Sequence, residues 1–242
     1  MYTAAAGMAA QQTRLDAVAN DLANVSTTGY KHVRLAFRDL VYDSAQGYGA
    51  AKDVQIGAGS ATTFIGRSVA QGNLQSTNSP MDIALTGQGF FQVKLADGRT
   101  ALTRDGALKI SPDGRLSTTS GQLLEPPIRI PAGTSDDQVA IGQDGTVKVK
   151  GTTVGKVALV DVPAPAQLAG GPDNTFIPTR GSGAVRPADT GTFLQQGVLE
   201  ASNVDEASAM TDMIEAQRAF ELASKAITTQ DQILEIANQV KK

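Results

Sequence analysis

The chain has 242 residues, which is long enough to bury a sizeable core in one large domain or in two smaller ones. Its 21 basic and 24 acidic residues give a net charge of -3 without a block of like charge, so no nucleic acid partner and no membrane insertion are expected. No cysteine is present, which excludes disulfides and thiolate metal sites.

The first segment, residues 3–25, is rich in Ala, Gln and Leu and has the pattern of an amphipathic helix. Met8, Leu15 and Leu22 recur every seven residues, as in a coiled-coil seam. Val18 and Val25 are interleaved with them and belong to the same seam. Gly29 is well placed to end the helix, because glycine adopts a left-handed conformation at little cost. Polar residues interrupt the apolar run, so the sequence predicts neither a cleavable secretory signal nor a membrane-spanning helix.

The middle of the chain has the alternation and the turn dipeptides of short antiparallel strands. Four Asp-Gly pairs, beginning at Asp97, Asp105, Asp113 and Asp144, read as hairpin turns, and residues 81 to about 160 are therefore predicted to be β-rich. Two stretches without periodicity, 42–60 and 163–190, are rich in Gly, Pro or Ser and read as linkers or long loops.

The last segment, residues 204–239, predicts a second long helix. Its apolar rows also repeat every seven residues, and the seam is formed by Met213, Ala216, Phe220, Ala223, Ile227 and Leu234. Asn203 followed by Glu206 has the spacing of a capping box at the helix start. Burying the four largest seam residues would contribute roughly 6 to 12 kcal/mol, whereas ordering each helical residue costs about 1 to 2 kcal/mol. We therefore expect the helices to gain order on assembly, with a monomeric helical hairpin as the alternative.

These patterns predict an α+β fold in which discontinuous N- and C-terminal helices form a coiled-coil assembly domain around a central antiparallel β-rich domain. The expected divisions are an N-terminal helical segment at 1–36, a linker at 37–80, the β-rich domain at 81–185, a return linker at 186–198 and a C-terminal helical segment at 199–242.

Few residues suggest catalysis or cofactor binding. His32 is the only histidine and is expected to be a surface residue of the linker. The run from Gly151 to Lys156 falls short of a phosphate-binding loop and reads instead as a hairpin turn. The conspicuous aspartates lie in turns, where a short side chain bonds its own backbone. We expect no enzymatic activity, no metal and no cofactor.

Two terminal motifs carry a family resemblance. The run ANDLANVSTTGYK at 19–31 resembles the N-terminal signature of the flagellar basal-body rod and hook family, and GVLEASNV at 197–204 with MIEAQRAFE at 213–221 is similar to the C-terminal one. The middle adds QGNL at 71–74, DIALTGQGFF at 82–91 and TRDG at 103–106. The signature positions are Asn20, Leu22, Ala23, Asn24, Thr28, Gly29, Ser202, Asn203 and Val204.

This resemblance implies a structural subunit of the flagellar basal body that forms a helical homopolymer and transmits torque from motor to hook. It also implies export through the flagellar type III apparatus without a cleaved signal peptide, an extracytoplasmic location in a rod that crosses the periplasm, and contacts with the proximal rod, the hook and the surrounding bushing rings. Distal rod members are the most similar, with proximal rod and hook members as alternatives. A hydrolase that remodels peptidoglycan and a monomeric β-domain adhesin are the alternatives outside the family.

Overall fold

The computed structural model describes residues 2–40, 43–45, 54–57, 59–189 and 191–240. Two long helices, α1 (Tyr2–Ala23) and α2 (Glu206–Val240), lie at the two ends of the chain, and short 3-10 helices occupy Asp136–Gln138 and Pro165–Gln167. The strands are β1 (Val33–Asp39), β2 (Asp43–Ala45), β3 (Val54–Ile56), β4 (Ser60–Arg67), β5 (Leu74–Ser76), β6 (Ile83–Thr86), β7 (Phe90–Lys94), β8 (Thr100–Thr103), β9 (Leu108–Ile110), β10 (Leu116–Thr118), β11 (Leu123–Leu124), β12 (Val139–Ile141), β13 (Thr146–Val149), β14 (Thr152–Lys156), β15 (Leu159–Asp161), β16 (Ala169–Gly170), β17 (Thr175–Ile177), β18 (Arg186–Pro187), β19 (Phe193–Gln196) and β20 (Val198–Glu200). The expected α+β class, with helices at both ends and an antiparallel β-rich centre, is confirmed.

The chain divides into two compact units. The helical unit contains residues 1–23, 33–65 and 205–242, and the β-rich unit contains residues 24–32 and 66–204. Residues 24–32 thus group with the β-rich unit, although the sequence analysis placed them beside the N-terminal helix. The observed strands β18 and β19 also occupy part of the expected return linker at 186–198. That the helical segments act as an assembly domain, and residues 81–185 as a separate β-rich domain, remains a prediction.

In the helical unit, α1 and α2 pack against each other, β1 pairs with β4, and β2 pairs with β3. The end of α1 lies two residues before the predicted one, because the chain enters turns at Asn24 and Gly29 takes a positive φ of 65°. The start of α2 lies two residues after the predicted one. Most of the loop predicted at 42–60 lies outside the described residues.

In the β-rich unit, one sheet has the strand order β16-β17-β8-β7-β11-β10-β9, and β15 pairs with both β7 and β18. Strands β12, β13 and β14 form a separate three-stranded sheet, and β6 and β5 pair with the late strands β19 and β20. These last two pairs are antiparallel and join residues more than a hundred positions apart in the sequence. The C-terminal return of the chain therefore belongs to the sheet structure of this unit.

Both faces of β7 are buried. Phe91 packs into a core with Ile83, Leu85 and Leu116, while its neighbour Phe90 packs on the other face. Successive side chains of a strand point to opposite faces, so the Phe-Phe pair anchors two separate cores. The core on the Phe90 side includes Phe176, whose ring meets that of Phe90 edge-on with a centroid distance of 5.7 Å.

Three of the four Asp-Gly pairs form hairpin turns, as predicted. They connect β7 to β8, β9 to β10 and β12 to β13, and Gly98, Gly114 and Gly145 all have positive φ. The prediction for Asp105-Gly106 is wrong, because β8 and β9 do not pair with each other. A Cβ on Gly106 would lie 1.6 Å from the carbonyl oxygen of Ile83, so this glycine permits a close backbone approach rather than a hairpin turn.

Candidate assembly interface

Helices α1 and α2 pack against each other, and small residues are among their most buried positions. Ala10 is 3% exposed, Ala216 is fully buried and Ala209 is 8% exposed, which lets the two backbones approach closely. Ala216 belongs to the predicted seam, whereas Ala10 was not assigned to it. Beside these alanines, the Arg14 guanidinium donates to the Asp212 carboxylate at 2.6 Å and to Glu215 at 3.3 Å. These ion pairs join the two helices within the helical unit.

The large seam residues are only partly covered. Met8, Leu15, Val18 and Leu22 on α1 and Met213, Phe220, Ala223 and Ile227 on α2 are all half-buried. Leu234 is 48% exposed, since the C-terminal part of α2 from residue 228 to residue 239 is exposed throughout. Val25 lies beyond the end of α1, in the β-rich unit, and is half-buried there. The structure therefore brings most of the predicted seam onto the two helices but leaves apolar surface open.

A second apolar surface, the outer stripe, runs along α2. It consists of Met210, Ile214, Leu222, Ile233 and Ile236, whose exposed fractions range from 49% to 69%. At about 3.6 residues per turn these positions lie on the side of the helix away from Ala209 and Ala216. A helix with exposed apolar residues along this length has surface for a further partner.

The start of α2 differs from the predicted capping box. The backbone carbonyl of Asp205 accepts the first helical hydrogen bond from Ala209 at 2.9 Å, and its carboxylate accepts a hydrogen bond from the Ser208 hydroxyl. Asp205 therefore caps the helix. The predicted cap, Asn203, instead accepts a hydrogen bond from the backbone NH of His32 at 2.9 Å and donates to the Ala70 carbonyl at 3.0 Å. His32 is half-buried through this contact rather than a linker surface residue.

The β-rich unit contains a buried ion cluster that the sequence analysis did not find. The Glu200 carboxylate accepts hydrogen bonds from the Lys31 ammonium at 2.6 Å and from the Arg104 guanidinium at 3.0 Å, and all three side chains are at most 4% exposed. Glu200 also accepts from the backbone NH of Gly72 at 2.9 Å. Burial lowers the pKa of the Lys31 ammonium, the neighbouring Arg104 charge adds to that effect, and the Glu200 carboxylate opposes it. Three distant parts of the chain thus meet at one carboxylate.

The N-terminal signature positions surround this cluster. Gly29 donates its backbone NH to the Glu200 carbonyl at 2.8 Å, and a Cβ on Gly29 would lie 2.6 Å from the Arg104 backbone. The Thr28 hydroxyl donates a hydrogen bond to the Asp105 carboxylate at 2.7 Å. Asp105 therefore accepts a bond from the signature segment and does not form a hairpin turn. The signature segment is therefore held by the β-rich unit at a site where only glycine fits.

The remaining signature positions are distributed between the end of α1 and the cluster. Asn24 accepts a hydrogen bond from the Thr27 hydroxyl at 3.0 Å, and the Ser202 hydroxyl accepts one from the backbone NH of Val204 at 3.3 Å. Asn20 and Ala23 are exposed on the last turn of α1, where Asn20 still has an interaction partner. Their surface position is compatible with a contact to another molecule.

Two classes of site are not found in the described part of the chain. No group of three His, Asp or Glu side chains among those residues is placed to hold a metal ion. Of the helices in the same described ranges, none has the length and apolar character needed to cross a bilayer.

Three family profiles match the chain. Residues 1–31 match the profile described as flagella basal body rod protein, and residues 84–149 match the flagellar hook protein FlgE/F/G D1 domain. Residues 195–240 match the flagellar basal body rod FlgEFG protein C-terminal profile. The three matches define a protein of the flagellar rod and hook class.

Full-length relatives narrow this class. The chain is 40% identical to the flagellar basal-body rod protein FlgG of Borreliella burgdorferi, with 100% of this chain and 98% of the relative aligned. It is 36% identical to FlgG of Caulobacter vibrioides, with 100% of this chain and 98% of the relative aligned. It is 34% identical to FlgF of the same organism, with 90% of this chain and 89% of the relative aligned. The chain therefore belongs to the flagellar basal-body rod protein family, with greater similarity to these FlgG proteins than to FlgF. Members of this family are structural subunits and not enzymes, as the sequence analysis expected.

Proposed function

We propose that this rod subunit polymerises helically through its terminal helices, which act as a coiled-coil assembly domain, and that the polymer transmits torque from motor to hook. The observation that carries the proposal is the outer stripe of α2, where five large apolar side chains are about half exposed or more. In a soluble monomer such a stripe has no physical benefit, and it promotes association.

The exposed surface is large enough to matter energetically. Fully burying one large apolar side chain contributes about 1.5 to 3 kcal/mol, and side chains that are already half covered would contribute about half of that. Five such residues give an upper estimate of roughly 4 to 8 kcal/mol for each subunit added. The half-buried residues of the predicted seam, including Phe220 and Ile227, add to this value if a neighbouring helix covers them.

Greater similarity to FlgG than to FlgF supports the distal rod as the location of this subunit, with proximal rod and hook positions as alternatives. Assembly in the rod implies contacts with other rod and hook components. We further propose export without a cleaved signal, location in the part of the rod that crosses the periplasm, and contact with the surrounding bushing rings. The predicted division, with a β-rich domain at 81–185 outside a tube of helices, belongs to the same proposal.

Sedimentation of the full-length chain tests polymerisation. We expect the mass to rise with concentration for the wild-type chain and for Ser120→Asp, which places a charge at an exposed turn residue of the β-rich unit rather than on α2. Leu222→Asp should remain monomeric at all concentrations, since Leu222 is 69% exposed in the stripe and its replacement does not disturb a monomer core. A wild-type chain that stays monomeric would contradict the proposal and favour the monomeric surface protein. Equal polymerisation of Leu222→Asp and Ser120→Asp would exclude the outer stripe as the interface.

A further inference from the structure

The β-rich unit contains a small cavity beside the buried ion cluster. Its volume is about 20 Å³, and its apolar wall includes the rings of Phe90 and Phe176. The guanidinium groups of Arg67 and Arg104 line the same cavity. Each guanidinium stacks on one of the rings, Arg104 at 5.4 Å from the Phe90 centroid and Arg67 at 5.6 Å from that of Phe176. The aromatic pair therefore holds both cations in place at the cavity wall.

Each of these arginines has a buried donor without an acceptor. The Nη1 and Nη2 atoms of Arg104 donate to Glu200 at 3.0 Å and to the Gly87 carbonyl at 2.8 Å, and Nη1 of Arg67 donates to the Lys31 carbonyl at 3.3 Å. Neither Nε–H has a hydrogen-bond partner among the residues that the structure describes, although both atoms are buried. Arg104 is only 4% exposed. Leaving two buried donors of charged groups unsatisfied is unfavourable, and the cavity that both residues line is the available space for an acceptor.

The charges around the cavity do not balance. Lys31, Arg67 and Arg104 carry three positive charges, and Glu200 supplies one negative charge. Asp161 also lines the cavity, but its carboxylate is paired with the Arg186 guanidinium at 2.9 Å. Two positive charges therefore remain uncompensated. Arg67 is half-buried and partly solvated, but Arg104 is 4% exposed, and a buried charge without a counterion is unfavourable. A negatively charged occupant would remove this imbalance, whereas a water molecule would satisfy the donors but leave the charge.

The volume limits the size of the occupant. A cavity of about 20 Å³ accommodates roughly one water-sized particle, since a single water needs about 10 to 15 Å³ on this measure. We propose that this cavity binds one chloride-sized monovalent anion between Arg67 and Arg104. The anion would accept hydrogen bonds from the two Nε–H groups and would act as a structural counterion that stabilises the folded β-rich unit.

Thermal unfolding of the full-length chain in sodium chloride and in sodium gluconate at equal sodium concentration tests the site. Calorimetry is suitable, because the chain contains no tryptophan for a fluorescence assay. Chloride at ten times its dissociation constant should raise Tm by about 3 to 6 °C relative to gluconate, and the rise should saturate with concentration. Crystals grown in bromide should show an anomalous peak within hydrogen-bonding distance of both Nε atoms.

Arg67→Met and Arg115→Met form a matched pair of variants. Both remove one positive charge, but Arg115 pairs with the exposed Asp113 carboxylate and does not line this cavity. The difference in Tm between chloride and gluconate should be lost in Arg67→Met and retained in Arg115→Met. Equal Tm values for the wild-type chain in the two salts, an undiminished difference in Arg67→Met, or a wild-type crystal without bromide in the cavity would each overturn the proposal. If Arg67→Met does not fold, the anomalous peak in the wild-type crystal decides alone.

Discussion

Replacing Glu200 with Gln should destabilise the β-rich unit strongly. The side chain of Glu200 is fully buried and accepts charge-assisted hydrogen bonds from Lys31 and Arg104. Gln has nearly the same shape, so Glu200→Gln removes the negative charge and leaves the two cations without a buried counterion. Breaking a buried ion pair in this way costs about 3 to 5 kcal/mol. Lys31 can lose its proton to relieve this cost, but arginine keeps its charge in proteins.

The expected decrease in Tm is about 6 to 20 °C, because about 1 kcal/mol shifts Tm by about 2 to 4 °C in a protein of this size. Calorimetry of the full-length chain would measure it, with Asp113→Asn as the control. Asp113 is 68% exposed and pairs with Arg115 at 2.8 Å, so its substitution should change stability by less than about 1 kcal/mol. A decrease of less than 2 °C in Glu200→Gln would show that the cluster is not a major source of stability.

Three further outcomes are expected. Removal of residues 228–242 should leave Tm unchanged, because residues 228–239 are all exposed, but it should abolish the polymer seen in sedimentation, because it removes Ile233 and Ile236 of the outer stripe. A large drop in Tm would contradict this. A fragment of residues 24–204 should unfold cooperatively and at a higher temperature than a fragment of residues 40–196, since the shorter one lacks both Lys31 and Glu200; calorimetric curves that coincide would refute the role of the cluster. Asp205→Ala should reduce the helical signal in circular dichroism at pH 7, because Asp205 caps α2. The Ser208 hydroxyl and nearby backbone NH groups lower the pKa of Asp205, so the stabilisation is present above pH 3.8 and is lost as the pH falls through the lowered pKa. A difference between Asp205→Ala and the wild-type chain that persisted unchanged at pH 2 would contradict this assignment.

The regular elements could be predicted because their signals are local. Helix α1 ends two residues before the predicted position and α2 begins two residues after it, since periodicity defines a helix but not its last turn. The hairpins at Asp97, Asp113 and Asp144 follow from the preference of Asp-Gly for tight turns. At Asp105 the same dipeptide has a different role, because Gly106 allows the backbone of Ile83 to approach closely.

The features that the sequence did not reveal depend on distant contacts. Lys31 ends one family motif and Glu200 lies within the other, yet their pairing joins positions 169 residues apart. Asn203 has the local pattern of a helix cap, but its side chain bonds His32 and Ala70 instead, and Asp205 takes the cap. Local patterns describe which bonds a residue can make, and the tertiary fold decides which of them form.

The central claim, that the terminal helices form the polymer interface with their half-buried seam as well as the outer stripe, is tested most directly by imaging basal bodies from cells whose only copy of this chain carries Phe220→Asp. Phe220 is half-buried on the seam side of α2, whereas Glu221, one position further along, is exposed. Losing the phenylalanine side chain costs up to about 3 to 5 kcal/mol, burying a carboxylate adds to that cost, and both recur in every subunit. Cells with Phe220→Asp should express and export the chain but lack the rod segment that it forms, and cells with Glu221→Gln should build normal rods. Rods of normal length in Phe220→Asp cells would show that the seam is not part of the interface.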